Sequence, residues 1–135
     1  RSRKRDVKRV NSILANSLTN KQGVVVFPEG TTSGGNTVLP FRPPLLEFPS
    51  SEEISVYYAS IRYETDTGRG DLPAERSVCF YGARDPFHKH VLMLAGNRRI
   101  TCTMTFADKP VTRKERKELA DELRERVSSI FEPMG

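Results

Sequence analysis

At 135 residues the chain is long enough for one domain with its own core and too short for two. Charged residues make up 29% and hydrophobic residues 36%, a profile typical of a folded globular protein rather than a disordered one. The formal net charge is +5, and no apolar run approaches the ~20 residues needed to cross a bilayer, so we expect no membrane-spanning helix.

The first predicted element is a helix over residues 3–19. Its apolar residues recur at helical spacing and form one stripe: Val7, Val10, Leu14 and Leu18. Basic residues crowd the same segment: Arg1, Arg3, Lys4, Arg5, Lys8 and Arg9. Such a cluster attracts polyanions without selecting among nucleic acid, anionic lipid and phosphorylated substrates, and it is equally typical of a solvated helix face.

The middle of the chain favours strands. The apolar run Val24–Phe27 does not alternate with polar residues, which predicts a strand buried on both faces. A long loop rich in Gly, Pro, Ser and Thr follows, and long ordered loops in small domains are usually functional. Further strands are predicted over Ile54–Tyr63, Ser77–Tyr81 and Arg99–Phe106.

Helices complete the pattern. One is predicted over Pro86–Leu94, and a capping-box pattern at Thr112 and Glu115 opens the last one. Its apolar stripe is Leu119, Leu123, Val127 and Ile130. The order predicts an α/β fold and a single domain over residues 1–135, with a central, mostly parallel or mixed sheet of about four to five strands flanked by helices.

Two pairs of reactive side chains carry little functional signal. Cys79 and Cys102 lack metal-ligand spacing and lie in predicted strands, which favours reduced buried thiols over a single disulfide. His88 and His90 form a His-x-His, but no further cluster completes a metal shell, so surface or helix-start histidines are favoured and no metal site is predicted.

The loop after Val24–Phe27 also matches most of a phosphate-binding pattern. Residues 30–37 fit Gly-x-x-x-x-Gly-Lys-[Ser/Thr] except that Asn36 replaces the lysine. The lysine that reaches the phosphates is therefore missing, and the proline-rich residues 38–44 cannot form the helix whose N-terminus holds the anion. A nucleotide-binding loop is rejected.

The same stretch carries a family resemblance. Phe27–Ser33 reads FPEGTTS and is followed by VLPFR at Val38–Arg42. Together they resemble the third conserved block of the glycerophospholipid acyltransferases, the 1-acylglycerol-3-phosphate O-acyltransferases and their relatives, which usually reads Phe-Pro-Glu-Gly-Thr-Arg-Ser and then Pro-Phe-Lys. Thr32 replaces the usual arginine, as in some bacterial members. Residues 1–7 resemble the end of the second block, and Ile54–Ile61 resembles the fourth, with Ala59 for its usual proline.

The resemblance implies an enzyme of phospholipid biosynthesis with a partial glycerol-3-phosphate acyltransferase-like fold. Such an enzyme moves a fatty acyl group from acyl-CoA or acyl-carrier protein to the hydroxyl of a lysophosphatidic-acid-like acceptor, without a further cofactor. In the family, the histidine of a His-x-x-x-x-Asp block is the base. Here Met93 and Ala95 stand five residues after His88 and His90, so no catalytic residue is present. We expect a C-terminal portion of the acyltransferase domain, inactive alone.

The site residues follow from the matched blocks. Glu29, Gly30, Thr31 and Thr32 would line the acceptor site. Positive charge for the acceptor phosphate would come from Arg1 and from Arg42. The alternative role for Glu29 is structural, as a buried acid paired with an arginine that holds the shape of the loop.

The expected partners are the glycerophospholipid acceptor, the acyl thioester donor and a membrane surface. The resemblance implies a peripheral protein at the cytoplasmic face of the membrane, docked through its basic N-terminus, and no nucleic acid is expected. The competing hypothesis is a non-catalytic basic module that binds anionic lipid or nucleic acid. Exposed sheet edges of a partial α/β domain also predict self-association.

Overall fold

The structure, a computed structural model, describes residues 2–80 and 86–134. It is a mixed fold of helices and strands. The α-helices are α1 (Ser2–Thr19), α2 (Glu47–Ser51), α3 (Ala74–Ser77), α4 (Phe87–Ala95) and α5 (Arg116–Ile130). The strands are β1 (Ala59–Thr65) and β2 (Ile100–Phe106), and short 3-10 turns cover Pro43–Leu46 and Thr67–Arg69. Within the described ranges, no helix combines the length and the hydrophobicity needed to cross a bilayer.

The described residues form two compact units. The first contains the residues up to Gly30 together with Pro40–Tyr57 and Asp108–Arg124. The second contains Thr31–Leu39, Tyr58–Ala107 and the residues from Glu125 onward, as far as they are described. The prediction of a single domain stays a prediction.

In the first unit, the Asn11 side chain of α1 ties the helix to the turn that leads into α2. Its amide nitrogen donates to the Pro44 carbonyl at 3.0 Å, and its amide oxygen accepts from the Phe48 N–H at 3.3 Å. Val56 and Val111 exchange two backbone hydrogen bonds of 2.9 Å. The buried apolar side chains of this unit are Leu14, Leu46, Val111, Leu119, Ala120 and Leu123.

In the second unit, β1 and β2 form an antiparallel ladder. Its register runs from Ala59 opposite Phe106 to Thr65 opposite Ile100. The Ser60 hydroxyl donates to the Ile130 carbonyl at 2.9 Å, which fixes the end of α5 against β1. Both faces of β2 are exposed, with Met104 at 50% and Phe106 at 69%. The sheet therefore depends on β1 for its contact with the rest of the unit.

Several helical predictions are confirmed. The stripe of the first helix has Leu14 buried with its other members half-buried, and α5 buries Leu119, Leu123 and Val127. The predicted capping box was wrong, because α5 begins at Arg116 and the Thr112 hydroxyl pairs with that of Ser55 at 3.3 Å. Helix α4 covers most of the predicted Pro86–Leu94 helix. The alternating strand at Arg99–Phe106 is confirmed as β2. For α1, α5 and β2 the periodicity of the sequence was sufficient to identify the element.

The predicted central sheet is not observed in the described ranges, where the sheet has two antiparallel strands. Val24–Phe27 forms no strand there, and Val25 and Phe27 are 81% and 70% exposed. A continuous apolar run is buried on both faces only within a sheet that is covered on both sides, and the observed ladder pairs β1 with β2 without this segment. The prediction over Ile54–Tyr63 is displaced, since β1 begins at Ala59.

The strand prediction at Ser77–Tyr81 was also wrong for its described part. Ser77 ends the helical turn α3, and its N–H donates to the Pro73 carbonyl at 3.0 Å. Pro73 at the N-cap position starts this turn, and the β-branched and aromatic residues that follow do not override it. Tyr81 lies outside the described residues.

Candidate acceptor site

The FPEG sequence forms a β-turn in the first unit. The Gly30 N–H donates to the Phe27 carbonyl at 3.1 Å, so Pro28 and Glu29 occupy the two central positions. Proline favours the first of these because its ring fixes φ near the required value. Gly30 has a φ of +63°, in the left-handed region that glycine enters without steric cost. The turn therefore places the half-buried Glu29 at the corner that follows the apolar run.

Arg42 holds this turn in place. Its backbone N–H donates to the Pro28 carbonyl at 2.8 Å, and its side-chain Nε donates to the Glu29 carbonyl at 3.1 Å. A Cβ on Gly30 would lie 3.0 Å from both Cδ and Nε of Arg42, so the absence of a side chain lets the arginine approach. The structure thus brings together Glu29, Gly30 and Arg42, which are predicted site residues.

The turn carries charged groups of both signs. The Nε donor of Arg42 is committed to the loop, so the part of the guanidinium that remains for a ligand is its two terminal nitrogens. Glu29 is half-buried, and its carboxylate can only accept hydrogen bonds when ionised. One turn therefore presents a cation and an acid. Arg1 lies outside the described residues, and its predicted contact with a phosphate stays a prediction.

Thr31 and Thr32 belong to the second unit, in a polar segment that ends at Leu39. Gly35 shapes this segment with a φ of +78°, and its N–H donates to the Ser33 hydroxyl at 3.3 Å. The Met134 N–H donates to the Gly35 carbonyl at 3.2 Å. A Cβ on Gly35 would lie 2.5 Å from Met134 Sδ, which only glycine avoids.

This polar segment lines a cavity of about 780 Å³ that lies wholly within the second unit. The opposite walls come from α3 with the residues after it, and from α4. Its lining residues are Thr31, Thr32, Ser33, Gly34, Asn36, Thr37, Leu39, Glu75, Arg76, Cys79, Phe80, His90 and Met93. The predicted residues Thr31 and Thr32 therefore face an open space of ligand size.

Sequence reasoning missed the contribution of Arg76 and Glu75 to this cavity. Both lie on α3, just before the strand that was predicted at Ser77–Tyr81. The available signal was Pro73 followed by Ala-Glu-Arg, because proline starts helices and these three residues favour them.

Asp71 is a second feature that the sequence did not reveal. Its carboxylate accepts hydrogen bonds from the Arg98 N–H, at 3.0 and 3.1 Å from its two oxygens, and from the Arg99 N–H at 3.2 Å. The pKa of Asp71 lies below its ordinary value, chiefly because of the hydrogen bond from Arg98. The Arg99 N–H adds to the effect, and burial opposes it. The carboxylate fixes the segment before β2 to the segment before α3.

The cysteines and histidines differ in their surroundings. Both cysteines are free thiols; Cys79 is half-buried, whereas Cys102 is exposed, so the expectation of two buried thiols was wrong for Cys102. Burial raises the pKa of the Cys79 thiol, and the nearby Glu75 charge raises it further. His88 is exposed, whereas His90 is 7% exposed with its ring 5.0 Å from that of Phe80. No group of three or more metal-ligating side chains occurs among the described residues.

Comparison with known proteins identifies distant relatives. The chain is 32% identical over 69 residues to the 1-acyl-sn-glycerol-3-phosphate acyltransferases of Neisseria gonorrhoeae and of Neisseria meningitidis serogroup B. The match covers 51% of this chain and 27% of either relative, so the chain spans about a quarter of the length of the curated relatives it matches. No family model and no solved structure matches this chain. The similarity, partial and distant, supports an acyltransferase family and therefore a transferase.

Proposed function

We propose that this chain is the acceptor-binding portion of an acyltransferase of phospholipid biosynthesis. The enzyme would move a fatty acyl group from acyl-CoA or acyl-carrier protein to the hydroxyl of a lysophosphatidic-acid-like acceptor. The observation that carries the proposal is the FPEG turn, which Arg42 fixes by hydrogen bonds to the Pro28 and Glu29 carbonyls. The similarity to 1-acyl-sn-glycerol-3-phosphate acyltransferases supports the same reaction class.

The chemistry of the acceptor matches this turn. A lysophosphatidate carries a phosphate dianion and a free hydroxyl close together on one glycerol. The terminal nitrogens of Arg42 suit the phosphate, because a guanidinium forms paired hydrogen bonds with phosphate oxygens. The Glu29 carboxylate suits the hydroxyl as a hydrogen-bond acceptor. These two residues would bind and orient the acceptor.

The step that activates the hydroxyl needs a base that takes its proton. The sequence contains no His-x-x-x-x-Asp, so we propose that the base lies outside this chain and that the chain alone does not turn over. The thioester donor supplies the acyl group, and no further cofactor is required. We place the enzyme at the cytoplasmic face of the membrane, where a basic helix such as α1 would contact anionic lipid.

The test uses the full-length protein and this chain in parallel. Acyl transfer from acyl-CoA to lysophosphatidate is expected from the full-length protein, with no turnover by this chain. In the full-length protein, Glu29→Gln is expected to lower kcat/KM by roughly tenfold or more with an unchanged melting temperature. Glu52→Gln is the matched control, because Glu52 is an exposed acid of the same unit.

Three outcomes would contradict the proposal. The first is robust turnover by this chain alone, which would show that the base is present. The second is a full-length protein that transfers no acyl group to any lysophospholipid. The third is a loss of activity in Glu29→Gln that is matched by a fall in melting temperature, which would assign Glu29 a structural role only.

A further inference from the structure

The cavity of the second unit has one wall rich in hydrogen-bonding groups. Side chains of the Thr31–Leu39 segment supply hydroxyls and one amide: Thr31, Thr32, Ser33, Asn36 and Thr37. Hydroxyls both donate and accept, and the amide does the same, so this wall can satisfy phosphate oxygens and sugar or glycerol hydroxyls alike. At about 780 Å³ the cavity lies within the range of small-molecule sites.

Arg76, on α3, adds positive charge to the cavity. It is the one arginine or lysine among the described residues that line the cavity. In the part of the chain that the structure describes, its guanidinium forms no ion pair with an acid, whereas Arg62 and Arg69 are paired. Arg76 therefore has its donors available for a ligand anion.

Glu75 also lines the cavity, where its charge acts on the Cys79 thiol. Successive residues of a helical turn point about 100° apart, so the side chains of Glu75 and Arg76 diverge. The Glu75 charge is felt at the Cys79 thiol, whose pKa it raises in addition to the effect of burial. The acid thus belongs to the Cys79 side of the cavity.

Apolar side chains also line the cavity, together with Glu75, Cys79 and His90. They are Leu39, Phe80 and Met93, and the ring of Phe80 packs edge-on against Phe87 at 5.6 Å and lies tilted against His90 at 5.0 Å. A cavity that combines hydroxyls, a cation and apolar side chains is complementary to an amphiphile.

We propose that this cavity is a second binding site, other than the turn held by Arg42, and that it binds a phosphate monoester that carries an apolar chain, with Arg76 as the residue that binds the phosphate there. The inference rests on the proposed function for its choice of an acylated glycerol phosphate, and it adds a binding residue on α3 that neither the sequence motifs nor the comparisons identified. A phosphate on Arg76 lies within reach of the hydroxyl wall, and the chain lies along Phe80 and Met93.

The experiment measures binding to this chain by calorimetry, without any acyl transfer, at about 0.15 M ionic strength so that exposed charges are screened. The probes are a hexanoyl lysophosphatidate, glycerol 3-phosphate and monohexanoyl glycerol. The acylated phosphate is expected to bind most tightly. Every chain in the comparison carries Arg42→Gln, so that the turn in the first unit does not contribute to phosphate binding. In this background Arg76→Gln is expected to weaken binding of the acylated phosphate by roughly tenfold or more, since charge-assisted hydrogen bonds are lost. Arg76→Lys, which keeps the charge but not the fork, is expected to retain part of the affinity.

Arg99→Gln is the matched control, because Arg99 is exposed in the same unit and does not line the cavity. Its affinity is expected to equal that of the chain with Arg42→Gln alone. Equal affinity in Arg76→Gln, equal losses in both variants, or no binding of any probe would overturn the inference. Binding of glycerol 3-phosphate as tight as that of the acylated ester would overturn the role of the apolar wall, leaving free phosphate esters as the ligands.

The two proposals fail separately. If Arg76→Gln binds lysophosphatidate normally while the full-length enzyme transfers acyl groups, the cavity assignment is wrong and the proposed function stands. If the full-length protein transfers no acyl group but this chain binds lysophosphatidate through Arg76, the proposed reaction is wrong and the site stands.

Discussion

Gly30 and Gly35 lie in the same loop, and at both a side chain distant in sequence packs where a Cβ would lie. The contact is polar at Gly30 and apolar at Gly35. Both have positive φ, and at both a Cβ would press against a side chain distant in sequence. At Gly30 that side chain is Arg42, which enters to hydrogen-bond the turn. At Gly35 it is Met134, which fills the space with apolar atoms while its backbone bonds the Gly35 carbonyl. Gly30 therefore allows a polar side chain to approach the turn, and Gly35 allows an apolar one to pack against it.

The difference predicts how each corner responds to a methyl group. Arg42 is exposed and flexible, so it can withdraw at the cost of one hydrogen bond. Met134 lies closer, at 2.5 Å from the ideal Cβ, and its Sδ also lies 2.8 Å from Cys79 Sγ. Moving Met134 therefore disturbs a second contact of the cavity wall.

The largest effect is expected for Gly35→Ala. A left-handed alanine and the displacement of Met134 together should lower the free energy of unfolding by about 3 kcal/mol. Gly34→Ala is the matched control, because a Cβ there meets nothing within 4 Å and its φ is not positive. Urea denaturation of both variants measures the difference. Equal stability of the two variants would show that Met134 does not constrain this corner.

A smaller loss, about 1–2 kcal/mol, is expected for Gly30→Ala, since the left-handed conformation is strained while Arg42 can move. Gly23→Ala serves as its control, with no heavy atom within 4 Å of the added Cβ. The double variant Gly30→Ala with Arg42→Ala isolates the contact. If Arg42 carries part of the cost, the two substitutions are less than additive. Strict additivity would mean that backbone strain alone accounts for the loss.

The smallest effect is confined to acid pH and tests a carboxylate of the second unit. The folded-state pKa of Asp71 lies below the unfolded value of about 4, so its hydrogen bonds contribute stability above that pH. That contribution is lost as the pH falls through the lowered pKa. The Arg98 and Arg99 amide resonances should therefore titrate with a midpoint below 4, whereas the Val111 amide in the first unit should not follow.

Asp71→Asn provides the control for this titration. The substitution should abolish the pH dependence at the Arg98 and Arg99 amides without affecting Val111, because Val111 bonds to Val56 and not to a carboxylate. A midpoint at or above the ordinary aspartate value would contradict the effect of the two backbone donors.

Elements whose stability comes from one periodic face could be predicted from the sequence. Helix α5 is marked by Leu119 and Leu123 at helical spacing, and β2 by Thr and apolar residues in alternation. The run Val24–Phe27 could not be assigned in this way, because an apolar run without periodicity indicates only that its burial is favourable and not which secondary structure it adopts. Whether strands pair with it depends on other segments of the chain, which a local pattern does not contain.

Some residues of the candidate site could likewise be predicted from the sequence and others could not. Glu29 and Gly30 were found because a continuous motif contains them, and the turn that the motif forms follows from Pro28 and a glycine. Arg76 was not found, because its relevance arises only when α3 and the Thr31–Leu39 segment line one cavity. No spacing rule links residues about forty positions apart that meet through tertiary contacts.

The hydrogen bonds that Asp71 accepts from Arg98 and Arg99 determine how this region can vary in sequence. All the donors to its carboxylate are main-chain N–H groups, so the side chains at positions 98 and 99 contribute nothing to the hydrogen-bond geometry. Any residue except proline supplies the same donors. These hydrogen bonds therefore require the Asp71 carboxylate, whereas the side chains at positions 98 and 99 can be substituted without losing them.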